Sequence, residues 1–215
     1  MTKYMFRPAS LEEALRDDPL REFYVPWTDF CQADVEQFVQ VLDSATCEGQ
    51  LQRYFEEHPK LLAQHLAGPP RWCIPHRRFG AELVPDFVLG AQSSIGFEWY
   101  GVELESPRAK LFNKNGDPSK VLNHAIRQIV DWRTWLKSNI DYARRPKSEQ
   151  GMGLRDIDGH IKGIILIGRR ADVEEDTRGR RREMCKELDI EIHTYDWLVE
   201  QTGQKYERYT RDWEW

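Results

Sequence analysis

Val84-Pro85-Asp86-Phe87-Val88-Leu89 and, further on, Gly101-Val102-Glu103-Leu104-Glu105-Ser106-Pro107 are the stretches on which the reading of this 215-residue chain turns. Both are rich in residues that favour strands, and Gly90-Ala91-Gln92-Ser93-Ser94 between them reads as a turn cluster. The pattern predicts one strand over 81–89, a second over 95–105, and a hairpin joining them. Asp86 interrupts an apolar run. Glu103 and Glu105 are two residues apart, so on a strand both point to the same face. If the strands are neighbours, three carboxylates converge. Two unit charges about 5 Å apart at an effective dielectric of about 20 repel by roughly 3 kcal/mol. Such a cluster has to be relieved by protonation, by cationic neighbours or by a metal, and hard oxygen donors suit Mg²⁺ or Mn²⁺. On spacing alone a second reading stands beside the first: the glutamates face solvent or pair with Arg or Lys.

Outward from this hairpin, the periodicity changes on both sides. Upstream, Ser10-Leu11-Glu12-Glu13 is a capping box for a short helix. Phe30, Val35, Phe38, Val39 and Leu42 recur at helical spacing over 29–42. A further helix over 47–58 stops at Pro59, Leu61-Leu62 prolong the apolar pattern to Gly68-Pro69-Pro70, and Trp72-Cys73-Ile74 starts a strand. Downstream, 107–118 is a polar loop. Ser119 caps a long helix to about residue 139, with Val121, Leu122, Ala125, Ile126, Ile129 and Val130 as its buried stripe. Residues 144–159 read as a mobile polar loop, and Ile164-Ile165-Leu166-Ile167 as a strand buried on both faces. A charged helix over 178–187, a strand over 188–195 and a helix from Asp196 complete the chain. Helix, three strands, helix, strand, helix, strand is an α/β order around one mixed sheet. Residues 1–45 read as a helical extension ahead of a core domain, 46–215.

Composition narrows the function classes. Hydrophobic residues make up 40%, charged residues 31% and aromatics 12%, which is the balance of an ordered globular chain. No apolar run is long enough for a membrane span. The segment Met1 to Arg7 lacks the apolar stretch and cleavage site of a secretory signal, and the four dispersed cysteines form no CxxC, so a reducing cytoplasm is expected. The net charge of −5 excludes a uniformly basic nucleic-acid binder. It hides a polarity: residues 1–60 hold 6 Lys+Arg against 12 Asp+Glu, and residues 105–147 hold 10 against 4. The basic middle is either a solvated helix face with its loops or a surface for a phosphate backbone.

Pro85-Asp86 followed by Glu103-Leu104-Glu105 resembles the PD-(D/E)xK nuclease signature. More narrowly, the chain is similar to the nuclease domain of the Shedu anti-phage defence family. The likeness rests on Leu51-Gln52-Arg53-Tyr54-Phe55-Glu56-Glu57-His58-Pro59-Lys60-Leu61-Leu62, the Pro85-Asp86-Phe87-Val88-Leu89 strand, and Val102-Glu103-Leu104-Glu105-Ser106-Pro107 with Leu111-Phe112. It continues through His124-Ala125-Ile126-Arg127-Gln128-Ile129-Val130-Asp131-Trp132, Ile165-Leu166-Ile167-Gly168-Arg169-Arg170 and Thr194-Tyr195-Asp196. What carries it is the order and spacing of these stretches over about 48–198. The resemblance implies a restriction-endonuclease-like core, a central mixed β-sheet flanked by helices. It implies a DNA endonuclease of a bacterial anti-phage defence system, dependent on Mg²⁺ or Mn²⁺ and homo-oligomeric. Asp86 and Glu103 match the metal-binding carboxylates, Glu48 matches an acidic residue aimed at the metal, and Gln128 matches a glutamine that orients water or phosphate.

The chain departs from that pattern where a lysine is expected two residues after the glutamate: Glu105 stands there. Two readings follow. In one, Glu105 acts as a metal ligand or general base and metal-bound water supplies the nucleophile. In the other, the site is catalytically silent and the domain binds DNA or regulates. Lys110 or Lys114 could supply the missing cation from the loop. Lys110, Lys114, Lys120, Arg127, Arg133, Arg169 and Arg170 are the candidates for gripping a phosphate backbone. Arg127 and Arg133, each taken singly, read more readily as an exposed helix face. The aromatic tail Trp213-Glu214-Trp215 and the link around Phe23, Tyr24 and Trp27 call for cover that a second copy of the chain could give.

Overall fold

The computed structural model describes residues 15–16, 18–63, 65, 71–173 and 177–211, with side chains to 204. The capping box at 10–13, the Gly-Pro-Pro stop at 68–70 and the aromatic tail at 213–215 lie outside the described residues.

β1 (Arg71–Pro75), β2 (Phe87–Ser93) and β3 (Gly96–Leu104) form an antiparallel meander. β4 (Lys162–Leu166) and β5 (Ile190–His193) then add in parallel, giving a five-stranded mixed sheet in the order β1-β2-β3-β4-β5. The parallel pairs require crossovers. α4 (Lys120–Arg144) makes the first and α5 (Thr177–Leu188) the second. α1 (Gln32–Ser44), α2 (Glu48–Glu57), the short α3 (Lys60–Ala63) and α6 (Tyr195–Arg211) complete the helices.

Alternation along the strands divides the apolar side chains between two faces. Ile74, Val88, Trp99, Ile165, Ile190 and Ile192 pack under α4 and α5. Phe87, Leu89, Val102, Leu104, Ile164 and Leu166 pack under Phe38 and Leu42 of α1, Leu51, Tyr54 and Phe55 of α2, and Tyr195 and Leu198 of α6. The result is a sheet with helices on both sides. α1 is tied in by a Phe38–Tyr54 ring stack at 5.9 Å, by Lys60–Asp34 at 2.8 Å and by Arg169–Asp43 at 2.8 Å.

Three local readings change. The predicted strand over 81–89 begins at Phe87, because the chain before it closes a small Phe79–Leu83 bridge and Pro85 has no N–H for a ladder. The strand then runs through Gly90 to Ser93, and the reversal is the two-residue Ser94-Ile95. Gly90 belongs to the strand because the Trp99 ring of β3 lies over it; an added Cβ would stand 2.6 Å from that ring. In α4 the buried line is Leu122, Ala125, Ile129, Trp132 and Leu136, while Val130, a rotation of about 100° past Ile129, is 43% exposed. The helix runs to Arg144, with a break in its dihedrals at Asn139. The loop over 144–159 is anchored rather than free. Met152, Leu154 and Ile157 are buried, and Arg155 accepts the Trp99 indole N–H at 2.6 Å.

α4 reaches the sheet closely because Gly101 of β3 and Gly163 of β4 are partners in register. A Cβ on Gly101 would fall 2.9 Å from the Trp132 ring, and one on Gly163 2.7 Å from Ile129. Both helix residues are fully buried, so neither can swing away. We expect Gly101→Val to cost about 1–3 kcal/mol through overpacking, read as a lower urea midpoint, and Trp132→Phe in the same chain to recover part of the loss.

Candidate functional site

The close seat of α4 brings Gln128 over the end of β3. Glu103 lies on the α4 face of that strand, opposite Ile165 of β4, and is 6% exposed. Glu105 follows two residues on; its N–H continues the ladder by donating to the Leu166 carbonyl at 2.8 Å. Asp86 does not interrupt β2 but precedes it. Its Oδ2 accepts the Leu104 N–H at 2.7 Å, which fixes the carboxylate against the strand that carries the two glutamates. Glu48 comes from the opposite layer, in the first turn of α2, where it is exposed. That turn is set by the Gln50 amide oxygen, which accepts the Thr46 N–H at 2.7 Å. The four acidic residues thus come from α2, the entry to β2, and the end of β3.

Their electrostatics show that they act on one another. Burial raises the pKa of Asp86; the negative charges of Glu48 and Glu56 add to this, while the Leu104 N–H and the charge of His76 oppose it. Glu103 is raised further, by burial and then by Asp86 and Glu105, against a weaker pull from the Gln128 amide. Glu105 is pushed up to about 7 by burial, Glu48 and Asp86. The charges of described residues that act on Glu105, those of Glu48 and Asp86, are both acidic. Glu103 also keeps one buried oxygen, Oε2, without a hydrogen-bond partner, and Gln128 keeps its buried Oε1 without one. Unpartnered buried acceptors beside raised carboxylates are a costly arrangement unless a positive species joins them. The donor set, carboxylates with an amide oxygen, is chemically that of a hard dication. Among the described residues, however, no group of three or more His, Cys, Asp or Glu side chains stands together closely enough to hold a metal ion as it is.

Two residues belong here that the sequence did not single out. His76 follows β1 in a left-handed backbone conformation (φ 48°) and donates its N–H to the Asp86 carbonyl at 3.0 Å. Its ring meets Glu56 at 2.9 Å and Gln52 at 3.1 Å, on the α2 face that also carries Glu48. The signal available was the Glu48, Gln52, Glu56 spacing along α2. Tyr195 is fully buried and donates its hydroxyl to the Glu105 carbonyl at 2.7 Å, so it positions the Glu105 backbone.

The basic candidates separate into three groups. Lys110, Lys114, Lys120 and Arg127 are exposed, and Arg127 touches the His124 ring at 3.0 Å. Arg169 and Arg170 are committed within the fold: Arg169 binds Asp196 at 3.1 Å and Asp43 at 2.8 Å, and Arg170 pairs with Glu200. Arg133 is a correction to both of its readings, the phosphate grip and the exposed face. It is buried, and its guanidinium donates to the carbonyls of Ile161 at 2.9 Å and of Leu188 and Asp189 at 2.6 Å. Those three bonds join α4 to the entries of β4 and β5.

Residues 45–199 match the family model of the Shedu protein SduA, C-terminal domain. The match covers well over half of the chain, so the chain belongs to the Shedu family. No curated protein matches it.

The raised acid groups set a pH dependence of stability. Folded Glu105 keeps its proton to about pH 7, whereas an unfolded glutamate loses it near its ordinary value of 4.5. The folded form binds more protons between those values, so the stability is fully present below the lower one and is lost as pH rises through the upper. Glu105→Gln removes this loss. Its urea midpoint is expected to match wild type at about pH 4 and to exceed it at pH 8 by an amount worth about 2 kcal/mol, measured by denaturation at both pH values.

Proposed function

We propose that this member of the Shedu family, a family of bacterial anti-phage defence, is a Mg²⁺- or Mn²⁺-dependent DNA endonuclease of PD-(D/E)xK type that hydrolyses phosphodiester bonds. One observation carries the reading: Glu103 has a buried, unpartnered carboxylate oxygen amid Asp86, Glu105 and Glu48, and among the described residues no cationic charge acts on Glu105. Asp86 and Glu103 would hold the dication, with Glu48 completing its surroundings from α2. When bound, the ion supplies a Lewis acid that offsets phosphate charge and lowers the pKa of water.

The remaining work falls to this chain's own side chains. Glu105, titrating near neutrality, is suited to take a proton from an attacking water, since a general base works best with a pKa near the operating pH. Gln128 presents a free amide oxygen from α4 to orient that water or a phosphate oxygen. Tyr195 keeps Glu105 in place through the backbone bond, and the Leu104 N–H keeps Asp86 in place. Lys110, Lys114, Lys120 and Arg127, all exposed, offer charge for the DNA backbone without reading its sequence.

A second reading has its own observation. Glu105 stands where the family pattern has lysine, and the acidic groups are not drawn together as a ready metal shell. On that reading the domain is a catalytically silent DNA-binding or regulatory unit.

Plasmid cleavage separates the two. With Mg²⁺ or Mn²⁺ the wild type is expected to nick or linearise supercoiled DNA. Glu103→Ala is expected to lose activity by on the order of a hundredfold or more. In parallel, Mn²⁺ should raise the melting temperature of wild type and not of Asp86→Ala. Equal cutting by Glu103→Ala rejects the assignment. An inert wild type that gains cutting as Glu105→Lys establishes the silent reading instead.

A further inference from the structure

Arg77 and Arg78, just after β1, and Lys147, just after α4, are far apart in the chain but line one cavity. It encloses about 420 Å³, and His76, Tyr142 and Met152 share its wall. These three cations are distinct from Lys110, Lys114, Lys120 and Arg127. Among the described residues, neither guanidinium has a carboxylate in contact. Arg77 is half-buried; it donates Nη2 to the Met152 carbonyl and keeps a buried Nε without a partner. Arg78 is exposed and donates to the Ala81 carbonyl at 3.1 Å. The neighbouring acid is Glu22, which pairs with Lys147 at 3.3 Å and acts on Arg77 from further off. His76 is already matched by Glu56 at 2.9 Å.

The far wall is fixed by its own backbone. The Gly151 N–H donates to the Pro146 carbonyl at 2.9 Å and the Met152 N–H to the Tyr142 carbonyl at 3.1 Å. A Cβ at Gly151 would run into the Arg145 carbonyl, so the loop closes this tightly only with glycine. Lys147 is steadied over the Phe23 ring, its Nζ 5.6 Å from the centroid. Tyr142, 43% exposed, adds an aromatic ring and a hydroxyl to the same wall. Three cations against one carboxylate, on separate elements, suit an extended polyanion. The planar forks of the two arginines match phosphate oxygens in pairs.

Position ties this cavity to the carboxylates. The His76 N–H donates to the Asp86 carbonyl at 3.0 Å. β1 and β3 both pair antiparallel with β2, so they run the same way, and His76 follows β1 at the edge of the sheet where Glu105 follows β3. The two strands lie roughly 10 Å apart, two strand spacings, which a few nucleotides of one DNA strand can span.

We propose that Arg77, Arg78 and Lys147 grip the phosphate backbone of DNA, holding it beyond the end of β1, to one side of the carboxylates. This grip presupposes DNA as the substrate, as proposed above, and names where the backbone lies.

Fluorescence anisotropy with a short labelled duplex tests this on the whole chain, in EDTA and again in Ca²⁺. Arg78→Gln and Lys147→Gln are each expected to weaken binding about fivefold at about 0.1 M salt and to reduce the salt slope by about 1. Lys186→Gln is the control. It removes an exposed charge from α5, which packs beside β5 at the other end of the sheet, and should leave affinity unaltered. Circular dichroism melts confirm folding, and either of the two cavity variants suffices if the other is not folded. A drop that Lys186→Gln does not share supports the grip. Unaltered affinity in both cavity variants, an equal drop in Lys186→Gln, or no binding by wild type in either condition overturns it. The two assignments fail separately. Plasmids cut equally by wild type and by Glu103→Ala reject the nuclease site and leave the grip to be judged by affinity. Metal-dependent cutting by a wild type whose Arg78 and Lys147 variants bind and cut equally well rejects the grip alone.

Discussion

Asp86, Glu103 and Glu105 are held beside one another by the backbone, not by opposite charges, and the rest of the site follows from that constraint. The Leu104 N–H binds the Asp86 carboxylate, the Glu105 N–H binds the Leu166 carbonyl, and the Tyr195 hydroxyl binds the Glu105 carbonyl, all within 2.7–2.8 Å. These bonds are made by secondary structure that the two hydrophobic cores enforce. They keep the acidic groups together although Asp86 and Glu105 raise the proton affinity of Glu103, and Asp86 that of Glu105. Folding energy from the cores is thus stored as electrostatic strain at one edge of the sheet. The backbone is thus set in advance, and only the acidic side chains have to draw together when a positive species enters.

The helix side of the site depends on the absence of side chains rather than on their presence. Gly101 and Gly163 lie next to each other on adjacent strands, and Trp132 and Ile129 of α4 rest directly on them. One turn back along the helix, Gln128 then faces Glu103. Larger residues at either glycine would lift α4 and with it the amide. Arg133, next to Trp132, locks the same helix to the carbonyls of Ile161, Leu188 and Asp189. Packing and chemistry therefore share a few residues of one helix.

Much of this was legible in the sequence, and the failures have physical causes. Alternation placed Glu103 and Glu105 on one face, and the Ser119 cap and the apolar period placed α4. Asp86 read as an interruption of a strand because periodicity does not register that the residues before a Pro-Asp can close a separate bridge. Gly90 read as turn because glycine signals a turn until the Trp99 that covers it is known. The arginines were the least legible. Arg127, Arg133 and Arg169 look alike in sequence, yet one is exposed, one is buried on three carbonyls, and one joins Asp196 and Asp43. Only the partners decide, and the partners lie far away in the chain. His76 was missed for the same reason: its role comes from Asp86, Gln52 and Glu56.

Replacing the expected lysine by Glu105 changes more than one side chain's chemistry. It shifts the local charge by one unit while Glu105 keeps its proton and by two once Glu105 ionises, and so turns a partly balanced buried cluster into a more negative one. Such a cluster attracts a dication more strongly, and without one it repels a phosphodiester. Cation binding at the carboxylates is then coupled to the approach of any anion, which has no net attraction to that edge until positive charge is in place. The exposed Lys110, Lys114, Lys120 and Arg127 place positive charge on the surface. On the function proposed above, this charge pattern would separate holding DNA from cutting it, with cutting controlled by the occupancy of the carboxylate site.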